Sequence, residues 1–404
     1  MTELIIREKY LDNILPYINK DLIKIFLGQR RVGKSYLLYQ VMNEVKKLDK
    51  AANIIYINKE LNEFIDIQNN LDLYDYIKSK SAADRTNYLF IDEIQAVDSF
   101  ELALRSLAAE KGYDIYCTGS NAKLLSGELA TWLGGRYLEV TVYPLTYNEF
   151  LLFHQLHDNS DTLNLYLRYG GLPYLKNLEL NHDVVFDYLR NIYQAILFRD
   201  VVARHHLRNV EFLERLILYL ANHSGSLVSA NNISKYLKSQ GINVAVSVVL
   251  TYLEYLATAF FVSRVKRSDI KGKKVFESGE KYYFTDIGLR NCIAGYSAFD
   301  MGLIIENVVF NHLISSAYRV RVGKSGDKEI DFIAEKDKEK IYLQVALRIT
   351  DETTRDREFG NLQEIADNYP KMLVTMDEYT GPSHEGIMHI PLRKFLATTI
   401  WKSL

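Results

Sequence analysis

Residues 28–35 constrain this chain more than any other stretch. They read Gly-Gln-Arg-Arg-Val-Gly-Lys-Ser and fit G-x-x-x-x-G-K-[ST], a loop that wraps phosphate. Gly28 and Gly33 allow backbone angles that bring consecutive N–H groups around a triphosphate with no Cβ in the way. Those groups belong to the intervening Gln29, Arg30, Arg31 and Val32 and to the residues that follow, through Tyr36. Lys34 supplies a point charge to the β- and γ-phosphates, and Ser35 a hydroxyl ligand for Mg²⁺. The flanks agree. Leu22–Leu27 is a short apolar run that reads as a buried strand, and Ser35–Lys47 has helical apolar spacing. The helix start adds partial positive charge toward a bound anion.

A second motif agrees with the first. Asn87–Gln95 carries four apolar or aromatic residues and then Asp92-Glu93, the pattern of a Walker B strand. Such a strand delivers Asp92 to the Mg²⁺ shell and leaves Glu93 to polarise a water for in-line attack on the γ-phosphate. The next strand is expected over Tyr113–Thr118 and ends in Gly119-Ser120-Asn121. A polar residue there can contact the γ-phosphate or the attacking water. Thr118, Ser120 and Asn121 are candidates, with Ser120 or Asn121 favoured; either also suits a helix N-cap. Arg136 follows Gly134-Gly135 and reads as an arginine finger, a phosphate sensor or a surface arginine.

At 404 residues the chain exceeds one hydrophobic core, so several domains are expected. A net charge of -2 implies no global attraction to nucleic acid, so any such surface must be local. Cys117 and Cys292 form no metal or disulfide pattern, which suits a reducing compartment. The first residues lack the cationic flank and apolar core of a signal peptide. No apolar run approaches the roughly 20 residues that span a bilayer. The expectation is a cytoplasmic protein with no membrane partner.

Residues 1–21 have helical apolar spacing, for a segment near the adenine or a helix packed on the sheet. Residues 151–205 read as mainly helical, broken by Gly170-Gly171-Leu172-Pro173, with a long amphipathic helix over Asp183–Asp200. Arg199 at its end suits a surface ion pair better than a neighbouring subunit's nucleotide. Residues 209–265 show three short helices and then a strand. A second strand, Val275–Phe284, follows the basic loop Lys266–Lys274, and the whole is the pattern of a winged helix. Asn291–Ser297 reads as a connector. The third helix exposes Ser247, Thr251 and Glu254. Positive charge sits in the wing, at Lys266, Arg267, Lys271, Lys273 and Lys274. The wing suits phosphate contacts; the module equally suits protein contacts. The last stretch reads helix, strand, strand, strand, helix, strand. Glu306 is on its first helix and Asp331 on its second strand. Gln344-Val345-Ala346 stands on the third.

In order, GQRRVGKSYLL, LFIDEIQ, TGSNAKLLS, GGR and YPLTYNEF resemble a prokaryotic AAA-type ATPase family. Its members join an ATPase to a C-terminal domain of unknown function with a nuclease-like fold. The resemblance spans essentially the whole chain and is strongest over residues 20–150. It implies an ATPase core, a helical lid, a winged helix and a restriction-endonuclease-like domain. The Gly-Gly-Leu-Pro turn also resembles the family, and Ser120 or Asn121 takes the place of its sensor residue. Nucleases of the last fold use Asp, then Glu-x-Lys, to hold metal and orient water. Here Gln344 replaces Glu and Ala346 replaces Lys, so Asp331 and Glu306 read as remnants.

The expected fold class is α/β. A P-loop NTPase parallel sheet occupies 1–155, a helical lid or linker 156–207, a winged-helix module 208–290 and a catalytically degenerate nuclease-like domain 291–404. ATP and Mg²⁺ are the expected cofactors. Expected partners are DNA through the winged helix, or a protein or second copy. The expected function is ATP hydrolysis as a nucleotide-controlled switch. Glu93, Asn121 and Arg136 are its catalytic candidates; Asp92 and Ser120 join the nucleotide-binding set, and Ser35 and Asp92 hold metal. An ATP-dependent nuclease, and a scaffold in which ATP only orders the fold, are the alternatives.

Overall fold

The computed structural model describes residues 4–122, 133–269, 279–325, 328–349, 351–378 and 383–398. The chain forms two compact units. One holds residues 1–143 with 258–260, the other the remainder.

The first unit is built on a parallel sheet. Its strands are β1 (Ile23–Leu27), β2 (Asn53–Asn58), β3 (Asn87–Asp92), β4 (Tyr113–Gly119) and β5 (Tyr137–Thr141), in spatial order β2-β3-β4-β1-β5. Neighbours are parallel throughout. Every residue of β1 and β3 is buried, as befits central parallel strands covered on both faces. Helices Lys34–Leu48, Asn70–Lys80 and Phe100–Ala109 supply the crossovers. Asn69 closes a capping box with Asp72 at the start of the second. Leu73, Ile77, Leu104 and Leu107 from these helices meet Ile25, Ile55, Leu89 and Ile115 from the strands in one core.

Lys24 interrupts the apolar run of β1 and is fully buried. It is ion-paired to Asp114 and donates to the Lys20 carbonyl at 2.9 Å. Asp114 also accepts from the Asn19 amide at 2.8 Å and the Tyr116 hydroxyl at 2.9 Å. Burial pulls the Lys24 pKa down, and Asp114 opposes it. The charge is tolerated because its hydrogen bonds are made.

The second unit begins with helices Tyr147–His154, Ser160–Tyr169 and His182–Ala195. The expected long helix over 183–200 is α-helical only to Ala195, then widens to π geometry over Ile196–Ala203. Helices Val210–Asn222, Ala230–Ser239 and Val246–Thr258 follow, then strands β6 (Val262–Asp269) and β7 (Glu280–Phe284). Helices Ile287–Ala294 and Met301–Ser315 precede β8 (Arg319–Ser325), β9 (Lys328–Lys336) and β10 (Glu339–Ala346). Helix Glu352–Gln363, β11 (Lys371–Thr375), β12 (Ile387–Pro391) and helix Leu392–Ala397 complete the described elements. The last strand and helix were not expected from sequence. β12 is short and contains His389 and Pro391, so its apolar signal is weak.

Seven strands form one mixed sheet, ordered β12-β11-β10-β9-β8-β6-β7. Its unexpected feature is β6, which pairs antiparallel with β7 and parallel with β8, Arg267 opposite Val322. The hairpin expected of a free-standing winged helix is thus the edge of the C-terminal sheet. Among the described residues, no helix is long and apolar enough to cross a membrane.

The stretch Asp286–Asn291 ties this unit together. Asp286 is buried and caps helix Ile287–Ala294 by accepting from the Leu289 amide at 3.1 Å. It also accepts from the Gly171 amide at 2.8 Å, within the Gly-Gly-Leu-Pro turn. Burial pushes its carboxyl up to about 6, and the amides of Gly171, Leu289 and Gly288 oppose that rise. Asn291 donates to the carbonyls of Leu167 and Arg168 at 2.9 and 3.0 Å. Arg290 is fully buried and reaches the Ala221 carbonyl at 2.8 Å and Asp300 at 3.1 Å. Residues expected to begin a connector at Asn291 are therefore helical to Ala294. A Cβ on Gly288 would lie 2.0 Å from the Tyr169 carbonyl oxygen, an overlap with backbone that no side-chain movement relieves. Gly288→Ala is expected to cost about 2–4 kcal/mol, read as a lower urea midpoint with unchanged slope.

Candidate active site

The loop after β1 departs from ordinary backbone where the motif requires it. Gly28 has φ 150° and Gly33 φ 97°, and Arg31 between them stands at φ 70°. A Cβ on Gly28 would fall 2.2 Å from the Val142 carbonyl oxygen, so only glycine fits there. Lys34 opens the following helix and is buried. Its ammonium donates to the Gly28 and Gln29 carbonyls, both at 2.9 Å, which holds it inside the loop. Gln29 and Val32 are fully buried, and Arg30 nearly so, with its guanidinium 3.3 Å from Glu60. Arg31 and Tyr36 are exposed, Tyr36 at 60%. Both amide atoms of Gln29 lack a hydrogen-bond partner among the described residues.

Sheet order explains how the second motif reaches the first. β4 lies between β3 and β1, so the ends of all three converge. Thr118, at the end of β4, donates to Asp92 Oδ1 at 2.5 Å and accepts from the Glu93 amide at 2.9 Å. One hydroxyl therefore fixes both acidic residues. The Ser35 hydroxyl favours the charged form of Asp92, so the two motifs act on one another. Burial pushes the Asp92 pKa up; Thr118, Ser35 and the charge of Lys34 oppose it, while Glu93 adds to it.

Glu93 adopts left-handed backbone, φ 58° and ψ 49°, and is only 9% exposed. Such a conformation is costly for a residue with a Cβ, and it turns the chain sharply out of β3. Its carboxylate accepts from Gln95 Nε2 and from the Ser120 hydroxyl, the latter at 3.4 Å. Gln95 also reaches Ser120 Oγ at 3.1 Å. Ser120 thus meets both Glu93 and Gln95. Asn121 is buried beside it in sequence.

Arg136 does not join this group. It is exposed, and its carbonyl accepts from the Ile23 amide, at the start of β1. The phosphate loop begins at the other end, four residue steps or about 13 Å along the strand. Because β5 runs parallel to β1, Arg136 stands at the opposite edge of the sheet from Lys34.

Thr118 was among the sequence candidates, ranked behind Ser120 and Asn121. Two further contributors escaped sequence reasoning. Gln95 had no signal beyond lying two residues after Glu93. Arg7 had none: it is buried, and its guanidinium donates to the carbonyls of Val32 at 3.1 Å and Tyr143 at 3.0 Å. It clamps the phosphate loop to the strand end beyond β5. Thr118→Val keeps the shape but removes both hydrogen bonds. It is expected to lower Mg²⁺-dependent turnover roughly tenfold while metal-free nucleotide binding persists, measured by steady-state phosphate release and equilibrium binding.

In the second unit, Ser247, Thr251 and Glu254 are exposed as expected, and Val248 is exposed with them. Arg267 lies 3.7 Å from Glu329, leaving Lys266 as the exposed wing cation among the described residues. Lys271, Lys273 and Lys274 lie outside those residues. Asp331 and Gln344 face one another on β9 and β10, the Asp331 amide 3.4 Å from Gln344 Oε1.

A family model described as an AAA domain matches residues 20–151, and one described as a domain of unknown function matches 160–300. An uncharacterised protein of Haemophilus influenzae is 36% identical over 95% of this chain and 96% of its own length. An uncharacterised protein of Methanocaldococcus jannaschii is 30% identical over 88% of this chain and 84% of its own. A Walker-type ATPase of Pyrococcus abyssi shares the fold with a TM-score of 0.50 at 17% identity, across 72% of this chain and 96% of that one. With the phosphate loop and the Asp92-Glu93 strand end converging in an AAA domain, the chain belongs to the prokaryotic AAA-type P-loop ATPase family whose members carry a further domain of unknown function.

Proposed function

We propose that the chain binds MgATP at residues 28–36 and hydrolyses it to ADP and phosphate as a nucleotide-controlled switch. One observation carries this reading: the Thr118 hydroxyl, at the strand end beside the phosphate loop, fixes both Asp92 and the backbone of Glu93. The residues suit the cofactors. Ser35 and Asp92 offer the hard oxygen donors that Mg²⁺ requires. The buried amide of Gln29, without a partner among the described residues, and the ammonium of Lys34 offer polar groups to a phosphate chain. Bound Mg²⁺ would neutralise charge that develops on the phosphates.

The chain's own residues do the rest. Lys34 exchanges its carbonyl partners for phosphate oxygens. Ser35 and Asp92 would hold the metal, and Thr118 keeps Asp92 in place. Glu93 takes the proton of the attacking water once its contacts with Gln95 and Ser120 yield. Ser120 and Asn121 report the state of the γ-phosphate. Arg136 takes no part at its own loop, which lies at the far end of β1; it is left as a surface arginine or as a finger toward a nucleotide bound to a second copy.

Duplex DNA is the second element of this proposal, through Lys266 and the three lysines of the wing. Arg267 is engaged by Glu329 and adds little. The domain boundaries given from sequence are kept, with β6–β7 shared between the winged helix and the C-terminal sheet. A reducing, cytoplasmic setting suits two free thiols and an ATP substrate. Phosphate release by the purified chain, with and without duplex DNA, tests both elements. Stimulation that fades with salt supports the switch and its DNA partner. ATP binding without any phosphate release would instead leave a scaffold ordered by nucleotide.

A further inference from the structure

The C-terminal sheet carries a carboxylate cluster at the place where a nuclease of similar element order keeps a divalent metal. Glu306 comes from helix Met301–Ser315. Glu329 and Asp331 are two apart on β9, which points both side chains to one face. The residue they surround is Lys281, on β7. Its side chain is 3% exposed, and its ammonium lies 2.9 Å from Glu306, 2.8 Å from Glu329 and 3.7 Å from Asp331. Tyr283, two residues along, donates to the same Glu306 oxygen at 2.7 Å.

The donor set does not suit a metal. A divalent ion of this kind needs about six oxygens at ~2.0–2.6 Å. Lys281 and Tyr283 already take one oxygen of Glu306, Lys281 one of Glu329, and the Val345 amide one of Asp331 at 2.8 Å. The carbonyl oxygen of Gln344 faces the Asp331 amide. Ala346 offers no amine. Among the described residues no group of three or more His, Cys, Asp or Glu is arranged to hold a metal.

We propose that Lys281 is the resident cation of this cluster, an ammonium in the position of a nuclease metal, which pins the β6–β7 hairpin to helix Met301–Ser315. Charge balance agrees. Burial alone would lower the pKa of Lys281, but Glu306, Asp331 and Glu329 outweigh it and hold the group above the ordinary lysine range. Burial and the charge of Glu306 push Asp331 toward its protonated form, with Lys281 opposing. Arg267 stands 3.7 Å from the other oxygen of Glu329. The cluster thus nears neutrality with protein groups only. A tethered ammonium costs no metal supply and cannot be chelated away, and it cannot activate water for strand cleavage. Lys281 is withdrawn from any role in binding nucleic-acid phosphate. The inference stands on this geometry and is independent of the ATPase reading.

Mn²⁺ titration of the nucleotide-free full chain, followed by electron paramagnetic resonance, tests it. The wild type is expected to show no Mn²⁺ binding that Asp331→Asn removes. Lys281→Ala opens the space and removes the central cation from among Glu306, Glu329 and Asp331. It is expected to gain one Mn²⁺ site, at least about tenfold tighter than any in the wild type, and to lose it again in Lys281→Ala/Asp331→Asn. Wild-type Mn²⁺ binding that depends on Asp331 would overturn the proposal. So would a folded Lys281→Ala chain with no gain. If Lys281→Ala yields no soluble protein, Lys281→Met with Glu306→Gln and Glu329→Gln is expected to fold, because its cluster no longer requires a cation. Failure of that variant as well would overturn the role given to the ammonium.

Discussion

Lys34→Ala is expected to weaken ATP binding by roughly 10²–10³-fold, about 3–4 kcal/mol from the loss of charge-assisted hydrogen bonds to two phosphates. The ammonium is buried within the loop and held by the Gly28 and Gln29 carbonyls, so its position is set before a nucleotide arrives. Alanine leaves those carbonyls without their donor and the phosphates without their point charge. Gly28 and Gly33 keep their backbone angles, so the loop itself should persist. Equilibrium binding of labelled ATP, beside a melting curve to confirm folding, is the measurement. A folded variant that binds ATP like the wild type would remove the phosphate-loop assignment and the ATPase reading with it.

Legibility in this chain follows how local the physics is. The phosphate loop and the Asp92-Glu93 strand end were readable because each needs fixed residue types at fixed spacing. The central strands of the first sheet were readable because buried parallel strands are short continuous apolar runs; β1 starts one residue later than expected and ends as expected at Leu27, and β3 starts as expected at Asn87. What sequence could not supply was adjacency. Thr118 matters because β4 sits between β3 and β1, a fact of strand order and not of the residues around it. Arg136 looked like a charge stabiliser by its place in the chain, yet parallel pairing with β1 puts it at the far end of the strand. Arg7 clamps the loop from more than twenty residues upstream, with only a lone arginine as signal. The same holds in the second unit. Glu306 and Asp331 were singled out by pattern, but Lys281 was read as part of a wing strand. Nothing in the run Glu280–Phe284 tells that β6 continues the C-terminal sheet and carries its partner strand beside Glu306.

Glu93→Gln is expected to retain MgATP and to lower turnover by about 10²–10⁴-fold, the range for removing a positioned general base. The substitution preserves length and shape, so the left-handed turn at φ 58° and the amide bond to Thr118 should survive. Asp92 keeps its hydrogen bond to Thr118, and metal binding should be unaffected. What changes is the basicity of one side-chain oxygen: a carboxylate accepts a proton from water, and an amide does not. Gln95 and Ser120 test the same point from the other side. They hold the Glu93 carboxylate. Loosening them by Gln95→Ala should alter turnover in wild type and leave the Glu93→Gln background almost unmoved, since the group they control is already silent. Single-turnover phosphate release, read beside nucleotide affinity, separates chemistry from binding. Hydrolysis by Glu93→Gln at the wild-type rate would mean that water is activated elsewhere, and Asp92 or a group beside Ser120 would take that role.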